Sequence, residues 1–538
     1  MAARQGTLTH EGNMSSTPSF WGKQIAVEHI GGIPFRMYSD RPRRIDHVLP
    51  FADYWGSRPY VVQGERVVTF DALAPASAGK ARDLLTAGLR RGDRVLILGW
   101  NSPDWILNFW ACVRIGAVPA LGNAWWSEDE LVHALTLLKP ALVLADARGA
   151  AKVPTGWRVG RWDVDEHAAV PPAETDTAVV DENDPAAIIF TSGTEGRAKA
   201  VVLAHRSLLA NQMMLLHVTR RLPWQPDASA GEVCLHTGPL FHIGGIGALL
   251  RGVIVGSTLV FPRGRYDPAE AMELIEGCQV SRWNAVPTMA TRLLDHPDLA
   301  RRDLRSLRTI TLGGAPVHGE LLRRVREGLP GVQSRIATGY GLSENGGQAT
   351  AAGGADVAAR PGSSGRPLPL AEIRILPREG LPDGEVLVRS PTQMLGYFGV
   401  DSPIDADGWL HTGDLGQLDE NGHLWITGRC KDLIIRGGEN IAPAAVEQAL
   451  MSIPGVSEAA VVGVPHPDLG EDVLAIVVNG GDMTAEALRE QLRSKVASFS
   501  VPGQWRLRTE PLPVNQTGKV DKAALLAELR AERETAPA

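Results

Sequence analysis

An apolar run at positions 186–190 passes without a break into Thr191-Ser192-Gly193-Thr194-Glu195-Gly196-Arg197-Ala198-Lys199. Hydroxyls, glycines and a lysine at the end of a strand are the residue types that hold a polyphosphate. Glycine lets backbone N–H groups approach closely, hydroxyls donate to phosphate oxygens, and the lysine supplies charge. The spacing is not that of a Walker A loop. Ala198 stands where that loop needs its second glycine, and Ala200 where it needs the hydroxyl that meets Mg²⁺. The same residues also suit an exposed flexible turn, and Glu195 would repel a phosphate unless it pointed away. On this segment alone both readings stay open.

Six further segments carry residues of the same chemical kind. Thr338-Gly339-Tyr340-Gly341-Leu342-Ser343-Glu344 follows a predicted strand at 334–337 and offers a hydroxyl and a carboxylate. One such carboxylate suits Mg²⁺, which takes one or two and fills its shell with water and phosphate oxygens. Gly313-Gly314-Ala315-Pro316 closes a predicted strand ahead of a helix expected from Val317. Pro239-Leu240-Phe241-His242-Ile243-Gly244-Gly245 places a histidine before small residues, and Trp409-Leu410-His411-Thr412-Gly413-Asp414 places an aspartate in a loop. Gly428-Arg429-Cys430-Lys431-Asp432 is charged, and Pro511-Leu512-Pro513-Val514-Asn515-Gln516-Thr517-Gly518-Lys519 is a loop before the last helix. Taken singly, each reads as a turn, a solvated charge or a structural histidine.

Their order along the chain resembles the acyl-adenylate-forming (AMP-binding) superfamily, closest to acyl-CoA synthetases and the fatty acid–CoA and 4-coumarate–CoA types of ligase. The resemblance runs over roughly residues 50–525. It implies ATP, Mg²⁺ and coenzyme A. Thr191, Ser192, Gly193, Thr194 and Lys199 would surround the phosphates. Gly314, Ala315 and Pro316 would pass between adenine and the acyl pocket. Gly339, Tyr340 and Gly341 would flank adenine, with Tyr340 stacking on it. Ser343 would contact the α-phosphate and Glu344 would hold the metal. Asp414 and Arg429 would take the ribose. His242 would lie beside the substrate carboxylate, with Ile243, Gly244, Gly245 and Gly313 around the acyl group. Lys519 would enter the site during adenylation, Lys431 would be the hinge, and Gly437, Gly438 and Glu439 would border the pantetheine channel. The chain departs from the pattern at Glu195, Ala198 and Ala200, where relatives commonly carry Thr, Pro and Gly, and at Ile435, where relatives often carry a lysine that Arg436 would replace imperfectly.

Positioning such segments requires a particular kind of scaffold. Short apolar runs at 94–98, 141–144, 186–190, 232–236, 258–261, 282–286 and 309–312 alternate with helix-like stretches, including a capping box at Ser127 and Glu130. That alternation predicts an α/β fold of mainly parallel sheets with helices on their faces, and ligands beyond the carboxyl ends of the strands. Beyond about 365 the strands are separated by turns, predicting a small antiparallel subdomain at 365–428. A hinge at 429–431 and a small mobile α+β domain at 432–538 follow, and 19–428 forms the large domain. Residues 1–18 are small, polar and aperiodic, and are expected to be disordered.

The 538 residues carry a net charge of −7, which excludes a general nucleic-acid binder. Four scattered cysteines, no secretory signal and an apolar stretch at 243–261 broken by Arg251 point to a cytoplasmic protein with no transmembrane segment. A homodimer stays open. The activity implied is ligation of a carboxylic acid to coenzyme A through an acyl-adenylate, the acid being fatty or bulky and apolar. A fatty acyl-AMP ligase loading a carrier protein, or a non-catalytic nucleotide binder, are the competing readings.

Overall fold

The computed structural model describes residues 21–166, 180–191, 198–223, 231–332, 335–378, 383–479, 481, 483–515 and 518–535. The expectation of disorder at 1–18 lies outside these, as do Ser192, Gly193 and Thr194.

Two large sheets hold most of the chain. The seven-stranded sheet runs Gly396–Tyr397, Lys199–Ala204, Pro185–Thr191, Val118–Gly122, Arg94–Leu98, Leu142–Ala145, Val159–Gly160. It is parallel from Pro185–Thr191 onward and antiparallel at its first two joins. Strands such as Arg94–Leu98 are apolar at nearly every position because both faces are covered. Ser102 caps the following helix Pro103–Arg114 by accepting the Trp105 N–H, and proline occupies the first helical turn, where no N–H partner is missed. The capping box forms as predicted ahead of the helix Glu128–Leu138. Ser127 Oγ accepts the Glu130 N–H at 3.3 Å, and the Glu130 carboxylate accepts the Ser127 N–H at 2.8 Å.

The nine-stranded sheet has a parallel centre, ordered Ile336–Thr338, Thr309–Leu312, Arg282–Ala285, Val233–His236, Thr258–Val260, Pro59–Gln63. Its two faces differ in kind. Leu235, Trp283, Ala285, Ile310 and Leu312 are buried on one face against the helices Pro268–Gly277 and Gly319–Gly328. The alternate residues Cys234, His236, Arg282, Asn284, Thr309 and Thr311 point to the other face. The helix Ile243–Val255 packs on that side, where Cys234, Leu259 and Phe261 join a core with Ile246, Leu249 and Leu250. No helix among the described residues is long and apolar enough to cross a membrane, so the run at 243–261 is a core helix and strand as read from the sequence. The helix after Pro316 starts at Gly319, two residues later than predicted, because His318 keeps extended backbone as its N-cap.

An antiparallel sheet follows, of Glu372–Pro377, Gly384–Arg389, Leu410–Leu418 and Leu424–Arg429. From Ile434 onward a five-stranded sheet and the helices Pro443–Met451, Ala485–Arg493 and Lys522–Thr535 build cores of their own. The short helical turn Cys430–Asp432 leads from the one sheet to the other.

Two consequences can be measured. Ser127→Ala removes a cap, and the urea midpoint should fall by the equivalent of about 1 kcal/mol. His236 is 5% exposed, and burial lowers its pKa from 6.5 to about 4. It is therefore neutral in the folded protein, whereas the unfolded chain takes up its proton below pH 6.5. Stability is accordingly lost as pH falls from 6.5 towards 4, by roughly 1.4 kcal/mol per unit. A His236→Gln variant should lose roughly 2–3 kcal/mol less than the parent between pH 7 and 4.5 in urea titrations; parallel losses would contradict this.

Candidate active site

The segments singled out from the sequence meet at the carboxyl ends of the two large sheets. Thr191 ends its strand opposite Lys199, with which it is in register. Lys199 thus lies on the strand antiparallel to the one that Thr191 ends, rather than in a loop, a correction to the sequence reading. The pairing forms because 200–204 is a second apolar run that completes the sheet. Lys199 places its ammonium 4.9 Å from the centre of the Tyr397 ring. The Tyr397 hydroxyl donates to Glu344 Oε1 at 2.9 Å, and Thr191 Oγ1 lies 3.4 Å from the same oxygen. These contacts tie Thr191, Lys199 and Glu344 to one place.

Glu344 and Ser343 sit on the short helical turn Ser343–Asn345, after the strand pair Gly341–Leu342 and Gly347–Gln348. Gly341 is required there: a Cβ would stand 2.4 Å from the Gly347 carbonyl oxygen. Gly339 is pinned in the same way, 2.5 Å from the Thr350 oxygen. Tyr340 reaches across to the antiparallel sheet and donates its hydroxyl to Asp414 Oδ2 at 2.6 Å. Burial and the Asp414 charge hold that phenol far above its usual range. Arg429 Nε pairs with the other oxygen of Asp414 at 2.9 Å. Asp414 and Arg429 are directly opposed residues of neighbouring strands, not loop residues as the sequence suggested. Sheet register therefore fixes their separation.

The loop 511–519 comes from the far end of the chain. It closes on itself, with the Asn515 N–H donating to the Lys519 carbonyl at 2.7 Å and the Gly518 N–H to the Asn515 carbonyl at 2.9 Å. It docks on the helix Pro287–Leu294: the Thr288 hydroxyl donates to the Gly518 carbonyl, and Arg292 Nη2 to the Leu512 carbonyl at 3.3 Å. Lys519 then lies beside Gly314, where a Cβ would stand 3.5 Å from its Cε. Burial lowers the lysine pKa, Arg429 lowers it further, and Asp414 opposes them.

His242 caps the helix Ile243–Val255, and its Nε2 is buried with no hydrogen-bond partner. Burial and the Lys519 charge lower its pKa to about 4, so the ring is neutral at pH 7. Gly245 touches the Leu240 backbone and packs the helix start, whereas a Cβ on Gly244 or Gly313 would meet nothing within 4 Å. Ile243 packs at the edge of the main core, and Ala315 and Pro316 continue the turn after Gly314. Room therefore opens next to His242.

Lys431, Gly437, Gly438 and Glu439 are all exposed, and no hydrogen bond or ion pair among the described residues joins them to this cluster. Gly437 and Gly438, at φ +59° and +89°, form the two-residue turn of a tight hairpin. Arg436 is held by Asp472 at 3.0 Å and by the Phe499 and Val501 carbonyls. It is committed inside its own domain and does not stand in for the lysine absent at 435. Sequence reasoning missed Tyr397, which sits on a two-residue edge strand with no motif, Glu385, whose carboxylate accepts the Gly413 N–H at 3.0 Å, and Thr288.

The AMP-binding enzyme family matches residues 51–398, and the AMP-binding enzyme C-terminal domain matches 445–519. A feruloyl-CoA synthase of Amycolatopsis sp is 34% identical over 86% of this chain and 94% of its own length. A fatty acid–[acyl-carrier-protein] ligase of Streptomyces coeruleorubidus is 33% identical over 87% of this chain and 93% of its own. Among solved structures, the o-succinylbenzoate CoA synthetase of Bacillus subtilis in complex with its acyl-adenylate intermediate superposes with a TM-score of 0.73. The two are 28% identical over 89% of this chain and 97% of that one. The same enzyme is also known with ATP and magnesium ion. With both domain models matched and a relative 34% identical over most of both chains, the chain belongs to the AMP-binding enzyme family and is an AMP-forming ligase of the acyl-CoA synthetase kind.

Proposed function

We propose that this chain converts a carboxylic acid, ATP and coenzyme A into acyl-CoA, AMP and pyrophosphate, with the acid seated beside His242 and the nucleotide spanning Thr191, Tyr340 and Asp414. The observation that carries this reading is the seat of Lys519. A residue 19 positions before residue 538 lies among Gly314, His242, Asp414 and Arg429.

In the first half-reaction a carboxylate oxygen attacks the α-phosphorus, an O–P bond forms, and the bond to pyrophosphate breaks. Both reactants are anions, so the protein must hold them in line and offset their repulsion. Lys199, on a strand, and Lys519, on the C-terminal loop, bring positive charge from two separate elements. Asp414 accepts from the ribose hydroxyls, in the directions that Tyr340 and Arg429 take up in the free protein, and Arg429 steadies that carboxylate. The neutral His242 ring offers its unpartnered nitrogen to the acid without adding a charge. Glu344 fits Mg²⁺: it is a single carboxylate beside Thr191, with one oxygen engaged by Tyr397. When bound there, the ion would neutralise phosphate charge.

In the second half-reaction the thiolate of coenzyme A attacks the acyl carbon, a C–S bond forms and AMP leaves. Lys519 blocks approach from the Gly314 side, so we assign the turn Cys430–Asp432, with Lys431, as the hinge by which residues from 432 onward withdraw it. Gly437, Gly438 and Glu439 would then border the thiol's path. The free cysteines Cys112, Cys234, Cys278 and Cys430 fit a cytoplasmic setting.

Lys519→Ala should lower acid-dependent pyrophosphate release by two to three orders of magnitude, roughly the loss seen when one charge-stabilising donor is removed. ATP binding should survive, as should thioester formation from supplied acyl-AMP. Equal pyrophosphate release from both proteins would defeat the assignment.

A further inference from the structure

The polar face of the nine-stranded sheet carries information about the acid. Arg282, Asn284, Thr309 and Thr311 lie on its two central strands, on the face where the helix Ile243–Val255 packs beside Cys234 and Leu259, and each keeps partial solvent access. Their neighbours on the opposite face are sealed: Trp283, Ile310 and Leu312 are all 0% exposed. Partial access along these two strands, with open space at Gly313 and Gly244, is what an acyl channel running down this face of the sheet would leave.

That face is lined by hydrogen-bonding groups whose capacity is not used up. Arg282 turns its guanidinium along the sheet, with Nη2 3.2 Å from Thr311 Oγ1 and Nε 3.4 Å from Asn284 Oδ1. No carboxylate lies within ion-pair distance of Arg282 among the described residues. The nearby Glu232 is already shared by Arg221 at 3.0 Å and Arg251 at 3.4 Å. Among the described residues the Asn284 amide donates only to Cys234 Sγ, at 3.6 Å. His236, beside Asn284 in register, is 5% exposed, and both its ring nitrogens are buried without a partner. Buried polar groups are ordinarily satisfied, and a partly buried cation is ordinarily paired. Three guanidinium groups around one carboxylate leave this end of the face positively charged.

We infer that the acid activated here carries a second hydrogen-bond-accepting oxygen group, a carboxylate or a ketone, which reaches Arg282, Asn284 and Thr311 while the reacting carboxylate lies beside His242. Thr311 lies two strand residues below Gly313, roughly 7 Å at ~3.3 Å per residue, so the second group sits several carbons from the first. This rests on the proposed ligase reading and replaces the expectation of a purely apolar acid. That expectation came from the glycines of the covering helix and took no account of the side chains facing them.

The test uses the full chain with ATP and matched acids, straight-chain and aryl, that differ only in a distal methyl, acetyl or carboxylate. Pyrophosphate release gives kcat/KM for each. The parent protein should favour the acetyl or carboxylate acid at least tenfold over its methyl partner, mainly through KM. The preferred member of the set tells a ketone from a carboxylate. Arg282→Met should erase that ratio, and Arg282→Lys should restore part of it for the carboxylate acid. A parent protein that turns over methyl acids as well as or better than their oxidised partners overturns the inference and leaves the ligase reading standing. Release from no acid, with ATP still bound, overturns both. Should Arg282→Met fail to fold, the parent ratio alone decides.

Discussion

A carboxylate and a polyphosphate repel one another, and any site that joins them must supply positive charge that does not relax away as they meet. In this chain the charge comes from two directions. Lys199 is built into a sheet and braced by the Tyr397 ring, so it is permanent. Lys519 arrives on a loop from a separate sheet, held by the contact between Thr288 and Gly518 and by the Arg292 bond to Leu512. One fixed and one removable cation is an arrangement that a two-step reaction can use. In the proposed reading, the charge needed for adenylation is withdrawn when the thiol must approach.

The same sheet that ends at this site also sorts its surroundings. One face of the nine-stranded sheet is a dry core packed on helices, and the other is a row of Arg, Asn, Thr and His beneath a glycine-bearing helix. Alternation along three short strands is enough to create both surfaces. The dry face makes the strand ends rigid, which keeps Gly313 and Gly314 in place. The polar face leaves space and unspent hydrogen-bonding capacity, and in the proposed reading this is what distinguishes one acid from another.

Much of this was legible in the sequence, for identifiable reasons. The alternation of apolar runs with helical stretches predicted parallel sheets, and Ser127 with Glu130 marked a helix start to the residue, because both signals are local. The motif residues Glu344, Asp414, Arg429 and Lys519 stood out by type and order. What the sequence did not reveal depends on pairing between distant segments. Nothing local shows that Asp414 and Arg429 are register partners, that Lys199 turns back opposite Thr191, or that Tyr397 joins them from an edge strand. Arg282 and His236 looked like ordinary members of apolar runs; only their shared face and its solvent access give them meaning. Arg436 shows the converse, since a residue that seemed available for chemistry is engaged by Asp472 and two carbonyls.

The central claim is that segments hundreds of residues apart in sequence converge on one nucleotide, with Lys519 at its reactive end. A crystal structure with a non-hydrolysable acyl-adenylate mimic tests it most directly. The account predicts adenine against Tyr340, both ribose hydroxyls on Asp414 in place of the Tyr340 hydroxyl, and the acyl linkage between His242 and Gly314. A mimic bound elsewhere, with the contacts of Asp414 to Tyr340 and Arg429 undisturbed, would contradict it.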